Sequence, residues 1–171
     1  KMVPEDIVGN YGVAYRFFES MNFPYLLTVA VYPVLARLWK EESDMHRRMT
    51  QKSLEYVFML GVLIAVGTIA FAREIVSLFY GIEQYSRAVI LLQCLGGGML
   101  FVHIDMILGA TLLASDKQRP LMYLSLATIP VSVALNYLLI PYAQAHFSNG
   151  AIGAAIATGL TEIVVMSTFL A

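Results

Sequence analysis

Ionisable side chains lie within or beside the long apolar stretches of this sequence. Arg16 and Glu19 are near the start of the first stretch, Asp105 is in the third, and Glu162 is in the last. A charge at the centre of a bilayer costs at least about 2.5–3.5 kcal/mol, so such groups usually serve a function. An arginine there can hold an anion, and a carboxyl group can bind and release a proton.

Arg16, Glu19 and Asn22 are spaced three residues apart and therefore share one face of a helix. The guanidinium group is always charged and offers a planar fork of donors that suits phosphate. We therefore interpret these three residues as a candidate substrate-binding arc that faces a hydrated cavity. The alternative is a surface ion pair at a helix end, because a straight helix places Glu19 about 30 Å from Trp39 and near the outer leaflet.

Asp105 and Glu162 are candidates for proton or ion coupling. Asp105 precedes Ser115 by ten residues, about 15 Å along a helix, which places it near the middle of a bilayer. A lone carboxyl group there either carries a proton during transport or stays neutral and hydrogen-bonded between helices. Glu162 is expected to face the interior of the bundle. His103 lies two residues from Asp105, so it points elsewhere and is interpreted as a packed helix residue.

Prolines and glycines mark where helices bend or meet. Pro24 and Pro33 lack the amide N–H that an internal helix position needs, so each predicts a kink, either a moving hinge or a static bend. Gly150 and Gly153 begin a small-residue pattern that lets another helix approach closely. These four residues are candidates for hinge and packing positions rather than for chemistry.

The composition indicates which elements must hold these residues. Of the 171 residues, 58% are hydrophobic and 13% are charged, and the mean hydropathy is +0.69. A soluble domain carries about 25% charged residues. The sequence therefore predicts an all-α polytopic membrane protein without a soluble domain. Its five long helices are expected at about 8–39, 52–72, 86–115, 120–141 and 150–171, with a short amphipathic surface helix at about 73–80.

Basic residues set the expected orientation. Seven of them lie between the first and second spans or between the third and fourth, against three on the other side. Because short basic loops stay in the cytoplasm, loops 40–53 and 115–120 are expected inside and loops 73–87 and 141–150 outside. The net charge of −1 gives no basic excess for binding nucleic acid.

Catalytic and metal-binding patterns are absent from the sequence. It contains no HExxH, no CxxC, no glycine-rich phosphate loop and no G-x-S-x-G. Its three histidines are isolated, and its one cysteine, Cys94, lies in an apolar run. The sequence therefore predicts no catalytic residue, no metal, no cofactor and no enzymatic activity.

Three parts of the chain resemble one family in order and spacing. They are GNYGVAYRFFESMNFPYLLTVAVYPVLARL, LFYGIEQYSRAVILLQ, and the pair NYLLIP and GAIGAAIATGLTE. This pattern resembles the polysaccharide flippase branch of the multidrug/oligosaccharidyl-lipid/polysaccharide exporter superfamily. The run AQAHFSN departs from the short turn of that family and is given no role.

The resemblance implies a transporter with two lobes around a cavity that opens alternately to each side, and residues 1–171 would be part of the C-terminal lobe. The implied cargo is an oligosaccharide on an undecaprenyl diphosphate carrier, flipped across the bacterial inner membrane. Arg16 occupies the position of the family's helix-opening arginine, which favours the anion-binding interpretation. The implied partners are this lipid-linked oligosaccharide, the lipid bilayer and other membrane proteins of glycan assembly.

Other functions remain open from the sequence. A lipid II flippase or a cation-coupled multidrug antiporter would belong to the same superfamily. A membrane-embedded glycan polymerase or ligase would carry a large external loop with catalytic Arg and His, whereas the longest external connection expected here has about fifteen residues. A helical scaffold without transport would not need intramembrane ionisable groups.

Overall fold

The computed structural model describes residues 4–21 and 24–170, and this part of the chain consists of α-helices with short connections and no strand. The helices are α1 (Glu5–Ser20), α2 (Pro24–Glu41), α3 (Ser43–Ala70), α4 (Ala72–Phe79), α5 (Ile82–Ala114), α6 (Gln118–Phe147) and α7 (Gly150–Leu170). Five segments are long and apolar enough to cross a bilayer, and α1 and α2 together form the first of them. The prediction of an all-α polytopic membrane protein is thereby confirmed.

The first span is two helices rather than the single helix expected at about 8–39. α1 ends at Ser20, Met21 forms a turn, and α2 begins at Pro24. Proline is favoured in the first turn of a helix, where its missing N–H has no partner to lose and its fixed φ suits the helix. Pro24 therefore starts a helix instead of kinking one, whereas Pro33 does lie inside α2.

Two connections are shorter than the hydropathy pattern indicates. Only Glu42 separates α2 from α3, so most of the expected loop 40–53 forms the first turns of α3. α6 likewise continues through Phe147, so the expected loop 141–150 reduces to two residues. The physical reason is that hydropathy marks only the lipid-compatible part of a helix, and both helices continue into polar sequence without interruption.

α5 is the central helix and contacts each of the other six described helices. Its Leu91, Leu92, Leu95 and Met99 are almost fully buried among them. α6, by contrast, packs mainly on α7, and Ala143 is its one buried residue. An apolar helix with so much free surface would face lipid in a bilayer, so the polar residues of α5 lie at the centre of the bundle while α6 lies at its edge.

The beginning of α5 is fastened to α1 by a side-chain cap. Tyr85 has φ −119° and ψ 32°, which interrupts the regular helix at this point. The Ala88 N–H donates to Oδ1 of Asn10 at 3.0 Å, and Asn10 Nδ2 donates to the Asp6 carbonyl at 2.9 Å. An exposed ion pair between Arg87 Nη1 and Asp6 Oδ2, also 2.9 Å long, lies beside this cap. These contacts fix the position of α1 along α5.

α4 occupies the place of the surface helix expected at about 73–80. Ala72 and Val76 are buried against the bundle, whereas Leu78 and Phe79 are 79% and 65% exposed. Two adjacent exposed apolar side chains on a short helix between spans fit a position in the membrane interface.

Candidate functional site

α5 and α7 meet at two glycines. A Cβ atom on Gly98 would lie 3.3 Å from the Cα atom of Gly159, a tight contact that the two helix backbones would have to move apart to accept. Glu162 follows Gly159 by about one turn, and Asp105 follows Gly98 by about two turns. Both acidic residues are therefore on the faces that the two helices turn toward each other.

The side chains of Asp105 and Glu162 form a carboxyl pair between α5 and α7. The two groups are close enough to share a hydrogen bond when one of them is protonated. Both carboxylate oxygens of Asp105 are enclosed, and no donor among the described residues reaches them. Enclosed carboxyl oxygens that lie beside a second carboxyl group are satisfied by sharing a proton or by holding a cation. The sequence predicted a lone carboxyl group at Asp105, and the structure corrects this to a pair.

Two cavities adjoin the carboxyl pair. The first, the α2 cavity, has a volume of 410 Å³ and is lined by Tyr25, Thr28, Val29, Tyr32, Asp105, Met106, Gly109, Ala110, Leu113 and Leu121. The second, the α6 cavity, has a volume of 290 Å³, and its polar lining consists of Asp105, Ser125, Thr128 and Glu162. Asp105 therefore lines both cavities, and the α2 cavity is otherwise mostly apolar.

A third cavity, of 220 Å³, lies between α1, α5 and α7, and we refer to it as the α1 cavity. It is lined by Tyr15, Phe18, Glu19, Met99, Val102, His103, Thr158 and Glu162. Two carboxylates, an imidazole and two hydroxyl groups therefore lie beside aromatic and apolar side chains. Because Glu162 also lines the α6 cavity, one side chain connects this polar space with the carboxyl pair.

His103 is the most deeply buried polar residue of the α1 cavity, with 2% of its surface exposed. The backbone of Met21 interacts with its ring. Gly61 on α3 packs beside the imidazole, and a Cβ atom there would lie in van der Waals contact with Nδ1, at 3.4 Å. Within residues 4–21 and 24–170, Nδ1 has no hydrogen-bond partner. His103 is thus packed between helices and also has an unsatisfied nitrogen atom.

Glu19 lies deeper in the bundle than a straight first helix would place it. It shares the α1 cavity with His103, which is twelve residues, or about 18 Å, from Ser115 along α5. The outer-leaflet position expected from the sequence assumed an unbroken helix, and the end of α1 at Ser20, with a turn at Met21, removes that assumption. The structure therefore places Glu19 at the C-terminal end of α1, exposed and at the depth of His103.

Arg16 and Glu19 are both exposed, and no ion pair joins these two described residues. Arg16 is one turn from Glu19 but is not among the residues that line the α1 cavity. Asn22, the third member of the expected arc, lies outside the described residues. The structure thus brings Glu19 to a cavity and leaves Arg16 on the exposed surface of α1.

Gly150 and Gly153, at the start of α7, lie at its contact with α6. A Cβ atom on Gly153 would collide with the backbone of Leu139, so the two helices approach as closely as small residues allow. At the start of α7, the Gly150 N–H donates to Oε1 of Gln144 at 2.8 Å. Both glycines therefore belong to helix packing and carry no chemistry.

Tyr15, Phe18 and Thr158 line the α1 cavity although the sequence did not single them out. Tyr15 and Phe18 lie near Glu19 on α1, and Thr158 lies one turn before Glu162 on α7. The available signal was this spacing, because residues three or four apart share a helix face. Apolar helices contain many such pairs, so spacing alone does not separate a cavity lining from ordinary packing.

The ionisable side chains of the site do not form a metal-binding cluster among the described residues. In the part of the chain that the structure describes, no group of three or more His, Cys, Asp or Glu side chains could hold a metal ion. The arrangement can instead bind hydroxyl groups through its carboxylates and hold a proton between Asp105 and Glu162.

Comparisons with known proteins point to one family. The MatE family profile matches residues 1–138. The capsular polysaccharide biosynthesis protein CapF of Staphylococcus aureus is 23% identical over 99% of this chain and 43% of its own length, so the chain spans less than half of that relative. No solved structure matches the chain. The matches confirm the resemblance to the multidrug/oligosaccharidyl-lipid/polysaccharide exporter superfamily.

Proposed function

Since the chain belongs to the MatE family, whose members are transporters, we propose that it forms part of a flippase that moves undecaprenyl-diphosphate-linked oligosaccharide across the bacterial inner membrane. The observation that carries the proposal is the α1 cavity, where Glu19, His103 and Glu162 place polar groups inside an apolar bundle. Polar groups at this depth indicate a hydrated path for a polar cargo. A relative named for capsular polysaccharide biosynthesis supports a glycan as that cargo.

Alternating access provides the transport cycle in this proposal. The two lobes of such a transporter rock against each other around a site at the middle of the membrane. The present chain supplies part of one lobe, and its first span contributes the exposed polar surface of α1 to the central cavity. The predicted orientation, with loops 40–53 and 115–120 in the cytoplasm, belongs to the same proposal.

Arg16 binds the diphosphate group of the cargo. Its side chain is exposed on α1, one turn from Glu19. A guanidinium group forms paired, charge-assisted hydrogen bonds with phosphate oxygens, and it stays charged at any physiological pH. Glu19 extends this substrate-binding arc on the same helix face, and Asn22 is proposed as its third member.

Asp105 and Glu162 couple transport to a proton or another cation. The pair is stable when it shares a proton and unstable when both groups are ionised and enclosed, so loading and release can follow the opening of the cavities beside it. Asp105 lines the α2 cavity and Glu162 lines the α1 cavity, so water entering from either side reaches the pair.

A cation-coupled multidrug antiporter is the second candidate, and the α2 cavity favours it. That cavity has the volume of a small-molecule site and combines an apolar lining with two tyrosines and one carboxyl group. A lipophilic cation fits such a lining, because aromatic faces and a carboxylate both attract positive charge.

The test is complementation with the intact protein in a bacterial strain that lacks its own flippase. We expect surface glycan to return and the lipid-linked oligosaccharide that accumulates on the cytoplasmic side to disappear. If the protein reaches the membrane at normal levels without restoring surface glycan, the flippase proposal is wrong. A rise in resistance to lipophilic cations in that same strain would then favour the antiporter.

A further inference from the structure

We infer that the α1 cavity is a subsite for one sugar ring of the cargo, namely the sugar attached directly to the diphosphate. The inference rests on the proposed function, since it requires a lipid-linked glycan to reach α1. It goes beyond that function by naming the residues that recognise the sugar: Tyr15, Phe18, Glu19, His103, Thr158 and Glu162.

The size of the cavity selects a single ring. Its volume is 220 Å³, below the range of about 300–1,000 Å³ for sites that hold drug-sized ligands. An oligosaccharide chain does not fit in this space, whereas one pyranose ring does. The rest of the glycan would extend from the cavity into the larger space between the lobes.

Aromatic rings supply a platform for the sugar. The rings of Tyr15 and Phe18 stack with their centroids 5.7 Å apart, and Tyr11 stacks on Tyr15 at the same distance. Tyr15 is stacked on both sides, by Tyr11 and by Phe18, so the ring that can offer a face to a ligand is Phe18. The C–H face of a sugar ring is apolar and packs on the face of an aromatic ring.

The polar lining matches a ligand that is rich in hydroxyl donors. Glu19 and Glu162 offer carboxylate oxygens, which accept hydrogen bonds and form no ion pair with another described residue. Thr158 donates to the Ala154 carbonyl at 3.1 Å, and its hydroxyl group also contacts the hydroxyl group of Tyr11. The His103 ring also lines the cavity, whereas its enclosed Nδ1 lies toward Gly61 of α3.

The same lining disfavours the other ligand classes. An anion would be repelled by two carboxylates. A metal ion would need a cluster of ligands that the described residues do not form. A purely apolar ligand would leave the polar groups unsatisfied at a cost of about 1–3 kcal/mol each.

The position of Arg16 explains why the first sugar is the one that binds. Arg16 and Glu19 are three residues apart on α1, and side chains at this spacing start about 5–6 Å apart. A diphosphate held by Arg16 therefore places the sugar bonded to it beside Glu19 and the mouth of the cavity.

The experiment compares two probes on the intact protein in lipid nanodiscs. One probe is undecaprenyl diphosphate carrying a single N-acetylhexosamine, and the other is undecaprenyl diphosphate without sugar. We expect the wild type to bind the sugar-bearing lipid about tenfold more tightly, and Glu19→Gln to bring the ratio of the two affinities close to one. Phe18→Leu keeps the site apolar without the ring and should reduce the preference independently of Glu19.

Glu74→Gln is the matched control, because it makes the same change at an exposed carboxylate on α4, and it should preserve the sugar preference. The inference is overturned if the wild type binds both lipids equally, or if Glu19→Gln weakens both to the same degree. It is also overturned if Glu19→Gln changes only the dependence of binding on cations. If neither lipid binds to the wild type, the proposed function itself fails, which distinguishes that result from failure of the subsite alone.

Discussion

α1 and α2 are two halves of one membrane span, yet they present different chemistry to α5. α1 contributes Glu19 and the hydroxyl group of Tyr15 to a polar cavity, whereas α2 contributes Tyr25 and Tyr32 to a larger cavity whose one ionisable carboxyl group is Asp105. An unbroken helix would continue one stripe of side chains along its partner. The break before Pro24 lets the second half turn a different face toward α5, so a single span lines two unlike compartments.

The carboxyl pair lies where these compartments meet. Asp105 lines the apolar α2 cavity, and Glu162 lines the polar α1 cavity. This arrangement separates two tasks by position. The cargo is recognised on the α1 side, and transport is coupled to a proton or cation at the border, that is, at the carboxyl pair between the two cavities. Mutations on the α1 side should therefore change cargo binding and export, whereas mutations in the carboxyl pair should change the pH dependence of transport.

The largest effect is expected at Arg16 on the α1 side. Arg16→Ala should abolish export of surface glycan by the intact protein, because it removes the charge that holds the diphosphate, and Arg16→Lys should retain part of it because the charge remains without the fork of donors. The measurement is surface glycan at equal protein levels in the membrane.

Two control variants sharpen the Arg16 experiment. Arg73→Ala removes an exposed arginine on α4, and Tyr32→Phe removes a hydroxyl group from the α2 cavity; both should leave export close to wild type. Normal export by Arg16→Ala would remove Arg16 from the binding site. Loss of export in Tyr32→Phe would show that the cargo also contacts the α2 cavity.

A smaller effect is expected at the border, where Asp105→Asn removes one member of the carboxyl pair. The amide cannot carry a transported proton but can still hydrogen-bond to Glu162. Transport should therefore become slower and lose most of its pH dependence between about pH 5 and 8, the range over which wild-type and mutant rates are compared. Asp116→Asn, in the exposed turn after α5, is the control and should keep the wild-type profile. An unchanged profile in Asp105→Asn would assign Asp105 to packing.

Much of the fold could be predicted from the sequence because lipid imposes one simple requirement. A span needs about 20 apolar residues, and five such stretches are visible as composition alone. The end of α1 within the first span was harder to predict from the sequence. Pro24 and Pro33 both lie in apolar sequence and both lack an N–H, yet Pro24 starts a helix and Pro33 lies inside it. Tertiary packing decides between these outcomes.

The sequence predicted which residues belong to the candidate site, but it did not predict which of them lie together. Glu19, Asp105 and Glu162 stand out as charges in apolar surroundings. Their grouping depends on the contact of Gly98 with Gly159 and on the depth of Glu19, which local spacing does not contain. The sequence therefore predicted three separate polar residues, whereas in the structure Glu162 lies beside Glu19 and His103 in the α1 cavity and beside Asp105 in the α6 cavity.

The attachment of α1 to α5 gives a third and more moderate prediction. Asn10→Ala would leave the Ala88 N–H without its acceptor at the irregular turn of α5, and it would also remove the hydrogen bond to the Asp6 carbonyl. An unsatisfied buried N–H costs about 1–3 kcal/mol, so the free energy of unfolding in mixed micelles should fall by that amount. A change well below this range would show that water replaces the amide oxygen and that the cap does not fix α1.

The smallest effect is expected at the ion pair beside that cap, and it tests whether charge or burial holds α1 in place. Arg87 and Asp6 are about half exposed or more, with side-chain accessibilities of 51% and 62%. Exposed pairs contribute about 0–1 kcal/mol because water and salt screen them. Asp6→Asn should therefore change the free energy of unfolding less than Asn10→Ala, and the effect of Asp6→Asn should shrink further as ionic strength rises. If Asp6→Asn lowered the free energy of unfolding more than Asn10→Ala, charge rather than the buried cap would hold α1 on α5. The polar residues of α1 would then serve to attach the helix and not to bind the cargo.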